Sequence, residues 1–470
     1  MKSQLMKTQT VVLFLFILIG LCPVEAKMTK FNTGKLSNAS VETILRRYKI
    51  ETSHVSLEIL NDDKSVYALN ENTQKIPASI SKILTSYAIL KRLTASHHFY
   101  TKLFWDGKNI YLKGGGDPSF VSENMWFLVN EFSRAGIKTI KGDIIVDDTL
   151  FDRVRFDESR ESTRVDRAYD APVGAMSFNW NSVNIFIKPT GAQQKARVVV
   201  DPENRYFDLV NNTTTVSGNV KKELSVQISN TERLITVSGE IAMGAPEKAI
   251  FKNVDTPDLW SGTNLKFFLS QRGISVDGKV RTGAVPENAE QVAVYESKNF
   301  AYIMADMNKF SNNFVAEMLT KNIAAEEMKA EASLARGVQG IQAELKKIGL
   351  DEKQIKIVNP SGLTRDNSIS AHSMNRVLRE IKNDFSIFTT FTESLPIAGI
   401  DGTLKKRFKD GPAEGWVRAK TGYLSGVVAL AGYAGRRDGE VLTFTFLYNG
   451  PREEAQVREA FDQIVLSSLQ

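Results

Sequence analysis

Three short patterns hold residue types capable of acyl transfer: Ser79-Ile80-Ser81-Lys82, Ser311-Asn312-Asn313 and Lys420-Thr421-Gly422. Residues three apart on a helix share a face, so a helix starting near Ser79 sets Lys82 where its amine can take the hydroxyl proton. A helix start also presents free backbone N–H groups, which favour negative charge developing nearby. Lysine is a base only when neutral. Burial and a second cation both lower its pKa, and Lys420 is a candidate for that cation. Gly422 would let a substrate lie against a strand edge, as backbone recognition of a peptide requires. Singly the patterns are weak: Ser79 reads equally as an N-cap, Lys82 as a solvated helix lysine and Ser311 as a loop serine. Their weight lies in the ordered set.

The elements that would position them are legible in outline. His54 to Leu60 alternates, with Val55, Leu57 and Ile59 on one side; Asn61-Asp62-Asp63 supplies turn chemistry and Val66 to Leu69 resumes, which predicts a hairpin. Pro77 breaks the chain before a stretch with Ile80, Ile83, Leu84 and Tyr87 at helical spacing. From about Thr94 to Tyr295 short strands dominate, around Ile144, Ala196–Val200, Leu224–Ile228 and Leu234–Val237. Clusters such as Asn211-Asn212-Thr213 read as separators, and no long helix is expected before Leu259–Arg272. Phe310 through Leu345 is rich in helix formers. The end reads strand, strand, helix: Val427–Ala434, Val441–Tyr448, then Val457, Ala460, Phe461, Ile464 and Val465 on one helical face. Strands near both ends can share one sheet, with the β-rich middle inserted.

Composition and address narrow the chemistry. The chain has 470 residues, 24% charged and 42% hydrophobic, which excludes disordered and fibrous classes. A net charge of +6 suits an anionic envelope, but no basic run marks a nucleic-acid groove. Residues 1–26 read as an export signal: Lys2 and Lys7, an apolar run Val11–Leu21, then Val24-Glu25-Ala26 at the cleavage site. The run is too short to span a bilayer. The one cysteine, Cys22, lies inside residues 1–26, preceded by Leu21 where a lipobox resemblance would want Gly or Ala. A chain cut after Ala26 carries no thiol, which excludes disulfides, cysteine catalysis and cysteine-zinc sites. Four histidines without an HExxH pattern give no metal site, and His97-His98 reads as a loop feature. Gly114-Gly115-Gly116 fits no nucleotide-binding spacing and reads as a turn. Neither cofactor nor metal is expected.

The ordered set resembles the S-x-x-K, S-x-N and K-T-G motifs of serine penicillin-binding proteins and β-lactamases. The wider context resembles one branch, the D-Ala-D-Ala carboxypeptidase/endopeptidases, or class C low-molecular-mass penicillin-binding proteins. It includes Pro77-Ala78-Ser79, Gly142 to Phe151, Ala171-Pro172-Val173-Gly174-Ala175 and Asn179-Trp180-Asn181. It continues through Asn359 to Arg365, Ala398 to Thr403 and Arg418 to Gly422, and so spans nearly all of the chain after the signal.

The resemblance implies an α/β (α+β) transpeptidase/β-lactamase-like domain, an antiparallel sheet flanked by helices, from residues 27–93 and 296–470. It implies a second domain from 94–188 and 253–295, and a β-rich third from 189–252. It further implies Ser79 as nucleophile and Lys82 as its base. Ser311 and Asn313 would pass the proton to the leaving amine and hold the substrate amide. Lys420 and Thr421 would bind the terminal carboxylate, with Gly422 at the strand edge. The backbone N–H groups of Ser79 and Tyr423 would form an oxyanion hole, worth roughly 3–4 kcal/mol per donor. Arg365 would belong to the substrate pocket. Position 423 is usually Ser or Thr in the family, so Tyr423 is a departure that bears on which substrates fit. The expected partners are peptidoglycan stem peptides, β-lactams as covalent inhibitors, and peripheral contact with membrane or wall; the expected location is the periplasm. Two rival readings stand beside this one. A β-lactamase would need a deacylating base such as the glutamate of an E-x-x-L-N loop, which is not found. A silent wall-binding sensor would have lost a motif member, and none is missing.

Overall fold

Near-continuous apolar strands at the end of the chain build the centre of the molecule. The computed structural model describes residues 38–160 and 171–469; the export signal expected over 1–26 lies outside them. Five antiparallel strands form one sheet: β1 (Val55–Asn61), β2 (Lys64–Leu69), β3 (Val417–Leu424), β4 (Val427–Gly435) and β5 (Val441–Asn449), in the order β3-β4-β5-β1-β2. The first and last parts of the chain therefore meet in register, with Leu57 of β1 opposite Phe446 of β5.

The period of two along β4 divides the core. Ala429, Ala431 and Tyr433 face a helical layer, whereas Val428, Leu430 and Ala434 face the other side. That other side is covered by α1 (Asn38–Arg47) and α8 (Glu454–Ser468), through Val41, Leu45, Val457 and Phe461. The helical layer comprises α2 (Lys82–Leu93), α3 (Phe300–Lys309), α4 (Asn313–Met328), α5 (Leu334–Lys347), α6 (Ala371–Asn383) and α7 (Phe385–Ser394). Of these, α2 is buried nearly all round, so it can run only through the middle of that layer.

The material between α2 and α3 forms separate sheets. A five-stranded mixed sheet runs Val280–Thr282, Ile144–Asp147, Ile110–Lys113, Tyr100–Trp105, Glu290–Glu296. Two three-stranded sheets contain Ser182–Lys188 and Leu234–Ala242 as their central strands. Two expectations need correction here. A helix, Ser122–Ser133, precedes Pro257–Gln271; it buries Met125, Leu128, Val129 and Phe132, a helical spacing passed over in a strand-rich context. Asn211-Asn212-Thr213 is not a separator but the middle of a strand, Asp208–Val216, paired in parallel with Leu234–Ala242. Thr213 and Thr215 are buried there, and the Asn211 amide donates to the Ala196 carbonyl, so polar residues satisfy one another inside the ladder. Gly114-Gly115-Gly116 follows Ile110–Lys113 as irregular backbone; a Cβ on Gly114 or Gly115 would lie within 2.4 Å of neighbouring main chain.

Candidate active site

The first motif sits where a 3-10 turn, Ala78–Ser81, runs into α2. Ala78 has a left-handed backbone (φ 48°), a conformation a non-glycine residue holds only when its surroundings enforce it. Two contacts do so. The Ser81 hydroxyl donates to the Ala78 carbonyl at 2.9 Å, and Gly362 packs so close that a Cβ there would lie 2.0 Å from the Ala78 oxygen. Ser79 is thereby left half-buried at the head of α2, with Lys82 one turn on and wholly buried.

Lys82 Nζ lies 3.1 Å from Ser79 Oγ, 2.7 Å from Asn313 Oδ1 and 2.6 Å from the Ser361 carbonyl oxygen. The last two partners can only accept. A neutral amine has two N–H bonds and one lone pair, so those acceptors use both donors and leave the lone pair for the Ser79 proton. Burial pushes the Lys82 pKa well below its ordinary value, and the Lys420 cation pushes the same way; Glu317 opposes them and Arg160 adds a smaller depression.

The second motif joins α3 to α4. Ser311 takes a left-handed turn (φ 57°), and the Asn312 side chain caps α4 by accepting from the Val315 N–H at 3.2 Å. Asn313 then opens α4 and faces Lys82. The middle residue of the motif is thus a helix cap.

The third motif lies on β3, at the sheet edge. Lys420 is fully buried; its Nζ donates to Ser311 Oγ at 2.9 Å and to the Thr421 carbonyl at 2.8 Å, and burial lowers its pKa to about 7. Thr421 Oγ1 donates to Thr403 Oγ1 at 2.9 Å. Gly422 is required sterically, since a Cβ would stand 2.6 Å from the Pro77 oxygen. The free edge of β3 is also oriented: Val417 O accepts from Ala398 and Ala419 N donates to Pro396, both away from β4. Alternate residues of a strand aim alike, so the N–H of Tyr423 points to that free edge too.

Direct contacts therefore gather Ser79, Lys82 and Asn313 in one set and Ser311 and Lys420 in another, and the charge of Lys420 reaches Lys82, although the chain carries these residues far apart. Arg365 stands apart from this knot. It is exposed and donates to the Ser425 carbonyl at 2.7 Å, beyond the end of β3. The Tyr423 ring is 58% exposed, with the Arg458 guanidinium 6.0 Å from its centroid. Sequence reasoning gave no role to Ser361, whose contribution is a main-chain oxygen, or to Thr403. Both lie in segments that carried the family resemblance. Among the described residues no group of His, Cys, Asp and Glu could hold a metal ion, and no helix is long and apolar enough to cross a membrane.

A serine and a buried lysine at the head of a central helix, with a second serine between two helices held by a second lysine on a sheet edge, form an arrangement suited to serine acyl transfer. Within that class the chain belongs to the D-Ala-D-Ala carboxypeptidase 3 (S13) family, whose model matches residues 37–469. It is 28% identical over 465 residues to the D-alanyl-D-alanine carboxypeptidase of Actinomadura sp. (strain R39), covering 94% of this chain and 86% of that one. Its fold resembles the crystal structure of penicillin binding protein 4 (dacB) from Haemophilus influenzae, with a TM-score of 0.79 at 23% identity, covering 93% of this chain and all of the other. The same Haemophilus protein complexed with a novel β-lactam gives a TM-score of 0.72 at 24% identity.

Proposed function

We propose that this protein is an exported serine DD-peptidase of the bacterial cell wall. It cleaves the terminal D-Ala-D-Ala bond of peptidoglycan stem peptides, the D-Ala-diaminoacyl bond of cross-links, or both. In this reading Ser79 Oγ attacks the carbonyl carbon while its proton passes to neutral Lys82. The oxyanion that forms is met by the N–H groups of Ser79 and Tyr423. The proton then travels through Ser311, which Lys420 contacts, to the departing amine, and an ester on Ser79 remains. Water repeats the sequence on that ester and releases the shortened peptide. Asn313 fixes Lys82 and the substrate amide, and Lys420 with Thr421 receives the terminal carboxylate.

One observation carries the reading: the Lys82 amine lies 3.1 Å from Ser79 Oγ with two pure acceptors beside it, so that in the neutral amine those acceptors take both hydrogens and the lone pair is left for the serine. Penicillins present a carbonyl and a carboxylate in a similar arrangement, so they should acylate Ser79 and leave slowly. The division at 27–93 and 296–470, the inserted units at 94–188 with 253–295 and at 189–252, the periplasmic location and the peripheral wall or membrane contact belong to the same reading. The test is mass spectrometry of muropeptides incubated with purified protein. Loss of one alanine per stem indicates carboxypeptidase action, and conversion of dimers to monomers indicates endopeptidase action. Unchanged muropeptides would refute the proposal.

A further inference from the structure

A buried ion pair lies near enough to Lys82 to act on its charge and involves none of the three motifs. Arg160 donates through Nε to Glu317 Oε1 at 3.0 Å and through a terminal nitrogen to Oε2 at 2.5 Å, with both side chains no more than 4% exposed. Glu317 sits on α4 one turn after Asn313, on the same helical face. Arg160 arrives from elsewhere, on a segment between α2 and α3, so that segment reaches α4 and the surroundings of Lys82.

The pair is wired to the base through one asparagine. Asn359 Nδ2 donates to Glu317 Oε1 at 3.3 Å and to Asp157 Oδ2 at 2.5 Å. Asn359 Oδ1 accepts from the Ser361 N–H at 2.9 Å, and the Ser361 carbonyl is the oxygen that receives Lys82 at 2.6 Å. We propose that Arg160 is a positioning residue. It holds the Glu317 carboxylate in a two-bond grip, away from Lys82, and so keeps the Asn359–Ser361 scaffold and the neutral lysine in place. This rests on Lys82 being the proton acceptor.

The charged groups around Lys82 make the consequence definite. Lys420 approaches from β3, Glu317 from α4 and Arg160 from the segment between α2 and α3; Asp157 of that segment meets Asn359. Removing Arg160 leaves Glu317 as an unbalanced anion near Lys82. An anion favours the ammonium form, so a higher pH is then needed to free the amine. Glu317→Gln together with Arg160→Leu removes both charges and the imbalance with them.

The experiment measures the second-order rate of acylation by a fluorescent penicillin from pH 5 to 9, on the full-length protein after signal removal. The parent, Arg160→Leu, Glu317→Gln and the double variant are compared. Arg160→Leu should move the acid limb upward by about one pH unit, a roughly tenfold loss of rate on that limb, and the double variant should bring the limb back towards the parent. Thermal melting of each variant separates misfolding from a changed limb. If Arg160→Leu does not fold, the limb of the folded double variant is compared with the parent's; a limb displaced by a full unit overturns the proposal, and a matching one supports it. An unmoved limb in folded Arg160→Leu also overturns it. Labelling that persists in Ser79→Ala would instead refute the functional reading on which the proposal rests.

Discussion

Lys82 Nζ and Asn313 Oδ1 stand 2.7 Å apart across 231 residues of chain, most of which lies between α2 and α3. The contact ties the head of α2 to the head of α4 and fixes the amine next to Ser79. Because Asn313 Oδ1 accepts only, it also selects the orientation in which a neutral Lys82 offers its lone pair to the serine.

The pH dependence follows from the two lysines. Lys82 must be neutral, and its pKa is depressed, so acylation should rise with pH through a limb far below the free-lysine value of about 10.4. In the proposed mechanism Lys420 works as a cation; burial lowers its pKa to about 7, so its charge is lost as pH rises through that value. Peptide kcat/KM should therefore be bell-shaped, falling above about pH 7. A bound carboxylate favours the charged lysine, so the falling limb should lie higher in kcat than in kcat/KM. A profile that climbs without turning over up to pH 10 would remove Lys420 from that role.

Lys82→Arg keeps a cation but supplies no neutral amine at any accessible pH. Acylation by penicillin should fall by about 10²–10⁴-fold, the usual weight of a general base. Stopped-flow or gel labelling reads the rate, and a substantially active arginine variant would exclude Lys82 as the base.

Lys420 and Arg365 are both cations, yet they should fail differently. Lys420 touches Ser311 inside the knot, so Lys420→Ala should slow penicillin and peptide alike. Arg365 is exposed beyond the end of β3. Arg365→Ala should chiefly weaken the long stem peptide, by the roughly 1.5–3 kcal/mol of a charge-assisted hydrogen bond. Penicillin lacks that stem and should react nearly normally. Equal losses on both substrates for Arg365→Ala would place it with the reacting groups.

Much of this site could be read from sequence because side-chain type carries the chemistry. Ser79, Lys82 and Lys420 have functions that few other residues can supply, and their order along the chain did the rest. Ser361 was not legible in the same way, since its main-chain oxygen leaves no trace in residue type. Arg160 and Glu317 were missed because charged residues ordinarily belong to solvated surfaces, and only folding shows them buried together. The strand Asp208–Val216 was obscured by its Asn and Thr residues, whose turn preference gives way when each finds a partner in the ladder.

Gly362 offers a test of how the nucleophile is held. Its backbone is left-handed (φ 79°), and a methyl group would strike the Ala78 carbonyl. Gly362→Ala should cost at least about 1–3 kcal/mol of stability from backbone strain. It should also lower the acylation rate by displacing Ala78 and Ser79. Thermal unfolding and penicillin labelling, measured together, check this; an alanine variant matching the parent in both would show that the contact is not needed.

The central claim is that Ser79 is the acylated atom's residue, and peptide mapping after reaction with penicillin tests it most directly. The expected result is one adduct, on the fragment carrying Ser79, that disappears in folded Ser79→Ala. An adduct on another fragment, or one that survives in Ser79→Ala, would contradict it.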